Sequence, residues 1–219
     1  VIELRKRDYL KRFINISTSE LYGSTELPAK ETDPYKPSSP YAISKAAFDQ
    51  YLVSMHKNFG FPMNILRPSN CYVEGQQLYR IVPKTIVSAL TGKKLPLQGG
   101  GRAMKSYLHA TDLSRAVMDV AHKAEFGKIY NVAPPGPISI RSLVETVAEA
   151  CEKSFSDVAE EVPDRIGQDA KYWLDATAIA RDLGWTPTTG LKRGIGCIVE
   201  WVRKYPELLT MPTVYEHRA

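Results

Sequence analysis

Arg12-Phe13-Ile14-Asn15-Ile16-Ser17-Thr18-Ser19-Glu20-Leu21-Tyr22-Gly23 is the stretch that decides the fold. Its first half is a short apolar run behind a charged segment, the pattern of a buried parallel strand. Its second half sets hydroxyls and a carboxylate where that strand ends, and open α/β sheets bind their ligands at the carboxyl ends of strands. Residues 23 to 40 are rich in proline, charge and serine and predict an irregular loop. It ends in Ser38-Ser39-Pro40, a cap and a first-turn proline for a helix from about Tyr41 to Asn58 that Gly60 stops. Met63 to Arg67 reads as the next strand, so a right-handed strand, helix, strand unit makes the two strands parallel.

The alternation continues outward. Pro83 to Leu90 reads as helix, and Lys94 to Gln98 and Lys105 to Leu108 as extended. Thr111-Asp112 is expected to cap a helix carrying Leu113, Ala116, Val117, Val120 and Ala121 on one face. Lys128 to Val132 predicts a strand, and Ile138 to Cys151, Ala176 to Leu183 and Leu191 to Tyr205 predict helices. Only 16 residues precede Ser17, without any Gly-x-Gly-x-x-Gly turn, and residues 1 to 11 read as the helix leading into the first strand. The first half of a Rossmann sheet takes on the order of 100 residues, so the expected fold is α/β, the C-terminal part of a Rossmann-like parallel sheet with a smaller α+β substrate-binding lobe. Pro134-Pro135-Gly136-Pro137 suggests a soft boundary, with residues 1–135 the partial Rossmann-like region and 136–219 mainly the lobe, the two interleaving.

Composition narrows the functional classes. The 29 basic and 24 acidic residues give +5, but the charges are interspersed, which argues against nucleic-acid binding and suits anionic small molecules. No apolar run reaches transmembrane length, so no membrane partner is expected. Cys71, Cys151 and Cys197 are odd in number and widely spaced, consistent with a reduced, cytoplasmic chain. The four histidines stand too far apart to suggest a metal cluster.

Tyr41 and Lys45, four apart, share one helical face. An ammonium beside a phenol favours the phenolate, the form in which a tyrosine takes a proton from an alcohol. With Thr18, Ser19 and Glu20 they form a hydroxyl, carboxylate, phenol and ammonium set that one substrate could meet. Gly99-Gly100-Gly101 reads as a tight turn rather than a phosphate cradle, since no helix follows it.

These motifs resemble the extended short-chain dehydrogenase/reductase family, in particular the nucleotide-sugar 4,6-dehydratases. Residues 17–23, Glu31-Thr32-Asp33-Pro34 and residues 37–45 are similar to GDP-mannose 4,6-dehydratases. Arg67-Pro68-Ser69-Asn70, residues 99–101, Asp112, Tyr130-Asn131, residues 164–169 and Leu183-Gly184-Trp185-Thr186-Pro187 look more like dTDP-glucose 4,6-dehydratases. The resemblance implies a catalytic set of Thr18, Ser19, Glu20, Tyr41 and Lys45. It implies NAD as cofactor, met by Ser17, Tyr41, Lys45, Pro68 and Ser69, and a nucleotide-sugar substrate held by Asn70, Lys105, Asn131 and Arg165. It also implies a homodimer through the helix from Tyr41. Ser19 stands where many dTDP-glucose dehydratases carry aspartate, Lys105 where the family usually has arginine, and Val73-Glu74 where it has Gly-Pro. Epimerases and UDP-glucuronate decarboxylases of the same family remain alternatives, as does a sugar-nucleotide-binding module without catalysis.

Overall fold

The computed structural model describes residues 1–164 and 171–214. In chain order its first elements are α1 (Ile2–Arg5), β1 (Phe13–Ile16), α2 (Pro40–Phe59), β2 (Met63–Pro68) and β3 (Asn70–Tyr72). There follow α3 (Ile81–Thr91), β4 (Leu95–Gln98), β5 (Met104–Lys105), β6 (Tyr107–His109), α4 (Ala110–Lys123) and β7 (Ile129–Val132). The chain continues through β8 (Ile138–Ser139), α5 (Ile140–Ala150), α6 (Phe155–Val158), β9 (Ala159–Val162), α7 (Thr177–Leu183) and α8 (Leu191–Lys204). These elements fall into two compact units, the first made of Val1–Cys71, Ser106–Pro137 and Lys171–Thr188. The second takes 72–105, 138–164 and 189–214 of the described residues. One passage between them, 137 to 138, falls at the end of the Pro134–Pro137 segment, and the two units exchange several segments of chain.

In the first unit β1, β2 and β7 form a parallel sheet in the order β1-β2-β7, with Phe13 opposite Met63 and Arg67 opposite Asn131. Parallel strands covered on both faces read as continuous apolar runs, and every residue of β2 is buried. Alternation along β2 sorts the helices. Met63 and Ile65 pack with Leu52 and Met55 of α2, whereas Leu66 packs with Ala116 and Val120 of α4. The two helices therefore cover opposite faces, the layered α/β arrangement that the sequence pattern predicts.

On the α2 face the apolar run ends at Arg67. Arg67 and Asp49 of α2 are fully buried and pair through Nε and Oδ2 at 3.1 Å. Asn15 of β1 donates to the other Asp49 oxygen at 2.9 Å. Removing one member of such a pair costs about 3–5 kcal/mol, because it strands a charge away from water.

Boundaries differ from expectation in several places. The N-terminal helix is only one turn, Ile2–Arg5. The helix expected to be capped by Thr111-Asp112 begins instead at Ala110 behind His109, whose Nδ1 accepts from the Thr111 N–H. Asp112, buried in the first turn, turns toward a distant segment instead, and its carboxylate accepts from both the N–H and the hydroxyl of Thr188, each at 3.0 Å. Its carbonyl accepts from the Trp185 indole at 3.1 Å, which fastens the Gly184–Thr188 segment to α4. Ile138 and Ser139 are not helical but pair antiparallel with Lys105 and Met104, and Ser139 caps the helix that follows.

The second unit buries the apolar faces of α3, α5 and α8 against one another, with Leu143, Val144 and Val147 of α5 and Ile195, Ile198 and Val202 of α8 fully enclosed. β4 and β9 form a parallel pair at its side. Gly99, Gly100 and Gly101 all take positive φ and turn the chain after β4, as the turn reading requires.

Candidate active site

β1 delivers Ser17 to its carboxyl end, and the chain then coils into a single 3₁₀ turn, Ser19–Tyr22. Thr18 caps that turn, its hydroxyl accepting from the Glu20 N–H at 3.2 Å. Gly23 ends it with φ 68°, and a Cβ there would lie 2.4 Å from the Lys36 carbonyl oxygen, so only glycine fits. Ser17, Thr18 and Ser19 are buried, while Glu20 is partly exposed.

α2 starts as the sequence predicts. The Ser39 hydroxyl accepts from the Ala42 N–H at 3.1 Å and Pro40 fills the first turn. Tyr41 is half exposed. Lys45, one turn on, donates from Nζ to the Ile16 carbonyl at 2.8 Å, which fastens the opening of α2 to the strand end that carries Thr18 and Glu20. The five predicted catalytic residues thus lie on two adjoining pieces of backbone. Pro68 closes β2, and Ser69 is buried beside it, its N–H donating to Val132 at 3.0 Å. The Ser69 hydroxyl has no hydrogen-bond partner among the described residues, an orphaned buried donor at the strand ends.

The predicted substrate contacts are divided between the two units and the residues outside those described. Asn70 opens β3 partly exposed, its N–H on the Ser106 carbonyl at 3.2 Å. Burial pushes the neighbouring Cys71 thiol up to about 11, which leaves it a poor nucleophile. Lys105 belongs to the second unit, on β5, and Arg165 lies outside the described residues. Asn131 plays a different part from the substrate contact predicted for it. It is fully buried, its Nδ2 donates to Ala29 at 2.8 Å and its Oδ1 accepts from the Tyr22 hydroxyl at 3.0 Å, so both ends of the side chain are turned into the protein.

Sequence reasoning missed the network that Asn131 joins. Arg67 Nη1 donates to the Tyr22 hydroxyl at 2.6 Å and to the Glu31 carbonyl at 3.3 Å, and Nη2 donates to the Tyr35 hydroxyl. The guanidinium also lies over the Tyr35 and Tyr22 rings, 4.8 and 5.3 Å from their centroids. Glu31 accepts from the Asn131 N–H at 2.8 Å. Burial pushes the Asp49 carboxyl up, while Arg67, the Ser17 hydroxyl and Asn15 pull it back. Burial also raises Glu31 and Tyr35. A cavity lined by Glu31–Tyr35, Gln50, Val53 and Ile129 adjoins this loop and includes none of the predicted catalytic, cofactor or substrate residues. The missed signal was an arginine inside an otherwise apolar strand, which must find a buried partner.

The fold that brings this strand end beside the opening of α2 is shared with dehydratases and epimerases of known structure. The chain belongs to the GDP-mannose 4,6 dehydratase family, whose model matches residues 2–197. It is 32% identical over 206 residues to the dTDP-glucose 4,6-dehydratase of Streptomyces griseus, covering 94% of this chain and 62% of that protein. It is 34% identical to the enzyme of the same name from Neisseria gonorrhoeae, covering 87% of this chain and 59% of that one. A dTDP-glucose 4,6-dehydratase from Streptomyces venezuelae, solved with NAD bound, superposes with a TM-score of 0.85 at 30% identity over 90% of this chain and 62% of that one. The UDP-glucose 4-epimerase of Thermotoga maritima, solved with UDP-glucose, gives 0.83 at 27% identity, over 90% of this chain and 64% of that one. The chain spans about three fifths of the length of these relatives.

The network has a pH signature. Burial pushes the Tyr22 phenol up to about 12, with Arg67 opposing and Glu31 adding to the rise. A phenol held protonated in the fold contributes stability that is fully present below about pH 10 and lost as pH rises through 12. The urea midpoint of the protein is therefore expected to fall between pH 10 and 12, and to fall less steeply in Tyr22→Phe. An equal fall of the midpoint with pH in the two proteins would contradict the assignment.

Proposed function

We propose that this chain carries the proton-transfer residues of a nucleotide-sugar 4,6-dehydratase. The observation that carries the proposal is the Lys45 bond to Ile16, which sets the opening of α2 beside the Thr18–Glu20 turn. Tyr41 takes the proton of the carbon 4 hydroxyl, Thr18 hydrogen-bonds that hydroxyl, and Lys45 is assigned to the cofactor ribose. The 4-keto sugar is acidic at carbon 5, where Glu20 removes the proton as the carbon 6 hydroxyl leaves as water, with a proton relayed through the Ser19 hydroxyl. A bound NAD would supply the hydride chemistry, as the store for the hydride that leaves carbon 4 and ends on carbon 6. Residues of this chain fit one end of that cofactor: Lys45 stands at the strand ends, and the unpartnered Ser69 hydroxyl awaits an acceptor. Pro68 and Ser17 flank that region, and Asn70, Lys105 and Arg165 are assigned to the nucleotide sugar.

Ser19 favours a second reading. A serine protonates a leaving hydroxide less readily than a carboxylic acid, and a 4-epimerase needs no such acid. Incubating the protein with dTDP-glucose, GDP-mannose and UDP-glucose, each with NAD, separates the two. A 4-keto-6-deoxy product supports dehydration, an inverted carbon 4 supports epimerisation, and no turnover with any of them removes both. Under dehydration, Glu20→Gln is expected to lower kcat by about 10²–10⁴.

The dimer is proposed on α2, whose exposed face carries Ile43, Phe48 and Tyr51, the last two stacked at 6.1 Å. Such a contiguous apolar strip on a helix suits a second copy of the chain. A cytoplasmic setting fits the three free thiols, and among the described residues no helix is long and apolar enough to cross a membrane. Sedimentation is expected to give a dimer that Phe48→Asp converts to monomer, and a monomeric parent protein would end this proposal.

A further inference from the structure

The candidate proton-transfer groups come from two pieces of backbone, and one buried side chain holds both. Asp49 lies one helical turn beyond Lys45 and two beyond Tyr41, on the same face of α2, and is fixed by Arg67 Nε at 3.1 Å. Tyr22 lies two residues beyond Glu20, in the turn that Thr18 caps, and is fixed by Arg67 Nη1 at 2.6 Å. The remaining donors reach Tyr35 and the Glu31 carbonyl, in the loop that leads to the Ser39 cap. The flat guanidinium fork can serve three elements at once, and a lysine ammonium in its place could reach only a subset.

A buried ion pair is a poor way to gain stability, since an apolar pair of equal volume often does as well. What it does impose is a fixed geometry. We propose that Arg67 is a positioning residue, holding the Ser19–Tyr22 turn, and with it Thr18 and Glu20, in register with Tyr41 and Lys45. This rests on the roles given to those four residues above. Arg67 acts through Tyr22 and Asp49.

The test compares the parent protein with Tyr22→Phe, Arg67→Lys and a control, Tyr130→Phe, which removes another buried hydroxyl of the same sheet, the one bonded to Asp182. Native-state amide exchange is followed at Glu20 and Gly23, whose N–H groups bond within the turn, and at Leu52 and Met55 of α2. In parallel, kcat and KM are measured with dTDP-glucose and NAD on folded protein. In Tyr22→Phe and Arg67→Lys the turn amides are expected to exchange at least tenfold faster while those of α2 stay within twofold. Their kcat is expected to fall at least tenfold with KM within twofold, and the control to change neither readout by more than twofold.

Unchanged turn exchange in both variants, or a kcat for Tyr22→Phe within twofold of the parent, overturns the proposal. A fall in kcat matched by the control does so too, since any buried hydroxyl would then serve. A parent protein that turns over no dTDP-glucose, GDP-mannose or UDP-glucose counts against the proposed function alone, and the exchange result then decides whether Arg67 holds the turn.

Discussion

The charge of Arg67 is the constraint around which the first unit is arranged. An arginine in the middle strand of a parallel sheet has no route to water, so its charge has to be met inside the fold. Burial works against that charge, and the facing Tyr22, Tyr35 and Asp49 outweigh it. Each partner comes from a different element: the turn after β1, the loop before α2, and α2 itself. Satisfying one guanidinium therefore fixes the positions of three segments that apolar packing alone would leave free to slide. An apolar cluster that shares Tyr22 draws Leu21, Ala29 and Ala46 from the same segments and Ala133 and Leu174 from two others. The loop is pinned from its other side by residues 171–175, through bonds such as Ala29 N–H to the Trp173 carbonyl at 2.8 Å.

Much of this arrangement was legible from local chemistry. The strand at Phe13, the cap and proline at Ser39-Pro40, and the apolar stripes of α5 and α8 each follow from interactions within a few residues, which is why sequence pattern finds them. The placing of Thr18 and Glu20 at a strand end and of Tyr41 and Lys45 at a helix opening was legible for the same reason, since the two are read separately and the sheet then joins them. Asp112 and Asn131 were misjudged because their partners lie 76 and 102 residues away, at Thr188 and Ala29. No local rule says which polar residue will turn inward to meet them. Which segments the two interleaving units exchange is hidden for a similar reason, being set by contacts between distant segments rather than by composition.

The polar network also bears on how the proposed proton-transfer residues are held on irregular backbone. Thr18 and Glu20 occupy a single 3₁₀ turn, too short to hold its own geometry through helical hydrogen bonds. Gly23 gives the turn its exit, and Tyr22 gives it an anchor in the core. α2 needs less help, being 20 residues long, capped by Ser39 and closed by Gly60 in the left-handed conformation. The asymmetry suggests where precision is most easily lost, at the turn rather than at the helix.

Energetic coupling between Tyr22 and Asp49 tests the central claim most directly, because in the fold the two meet through Arg67. A double-mutant cycle of Tyr22→Phe and Asp49→Asn, read by urea unfolding, is predicted to give an interaction of about 1 kcal/mol or more. The same cycle in an Arg67→Met background is predicted to give none. Additive effects within about 0.5 kcal/mol in the parent protein, or an interaction that survives the loss of Arg67, would contradict the account.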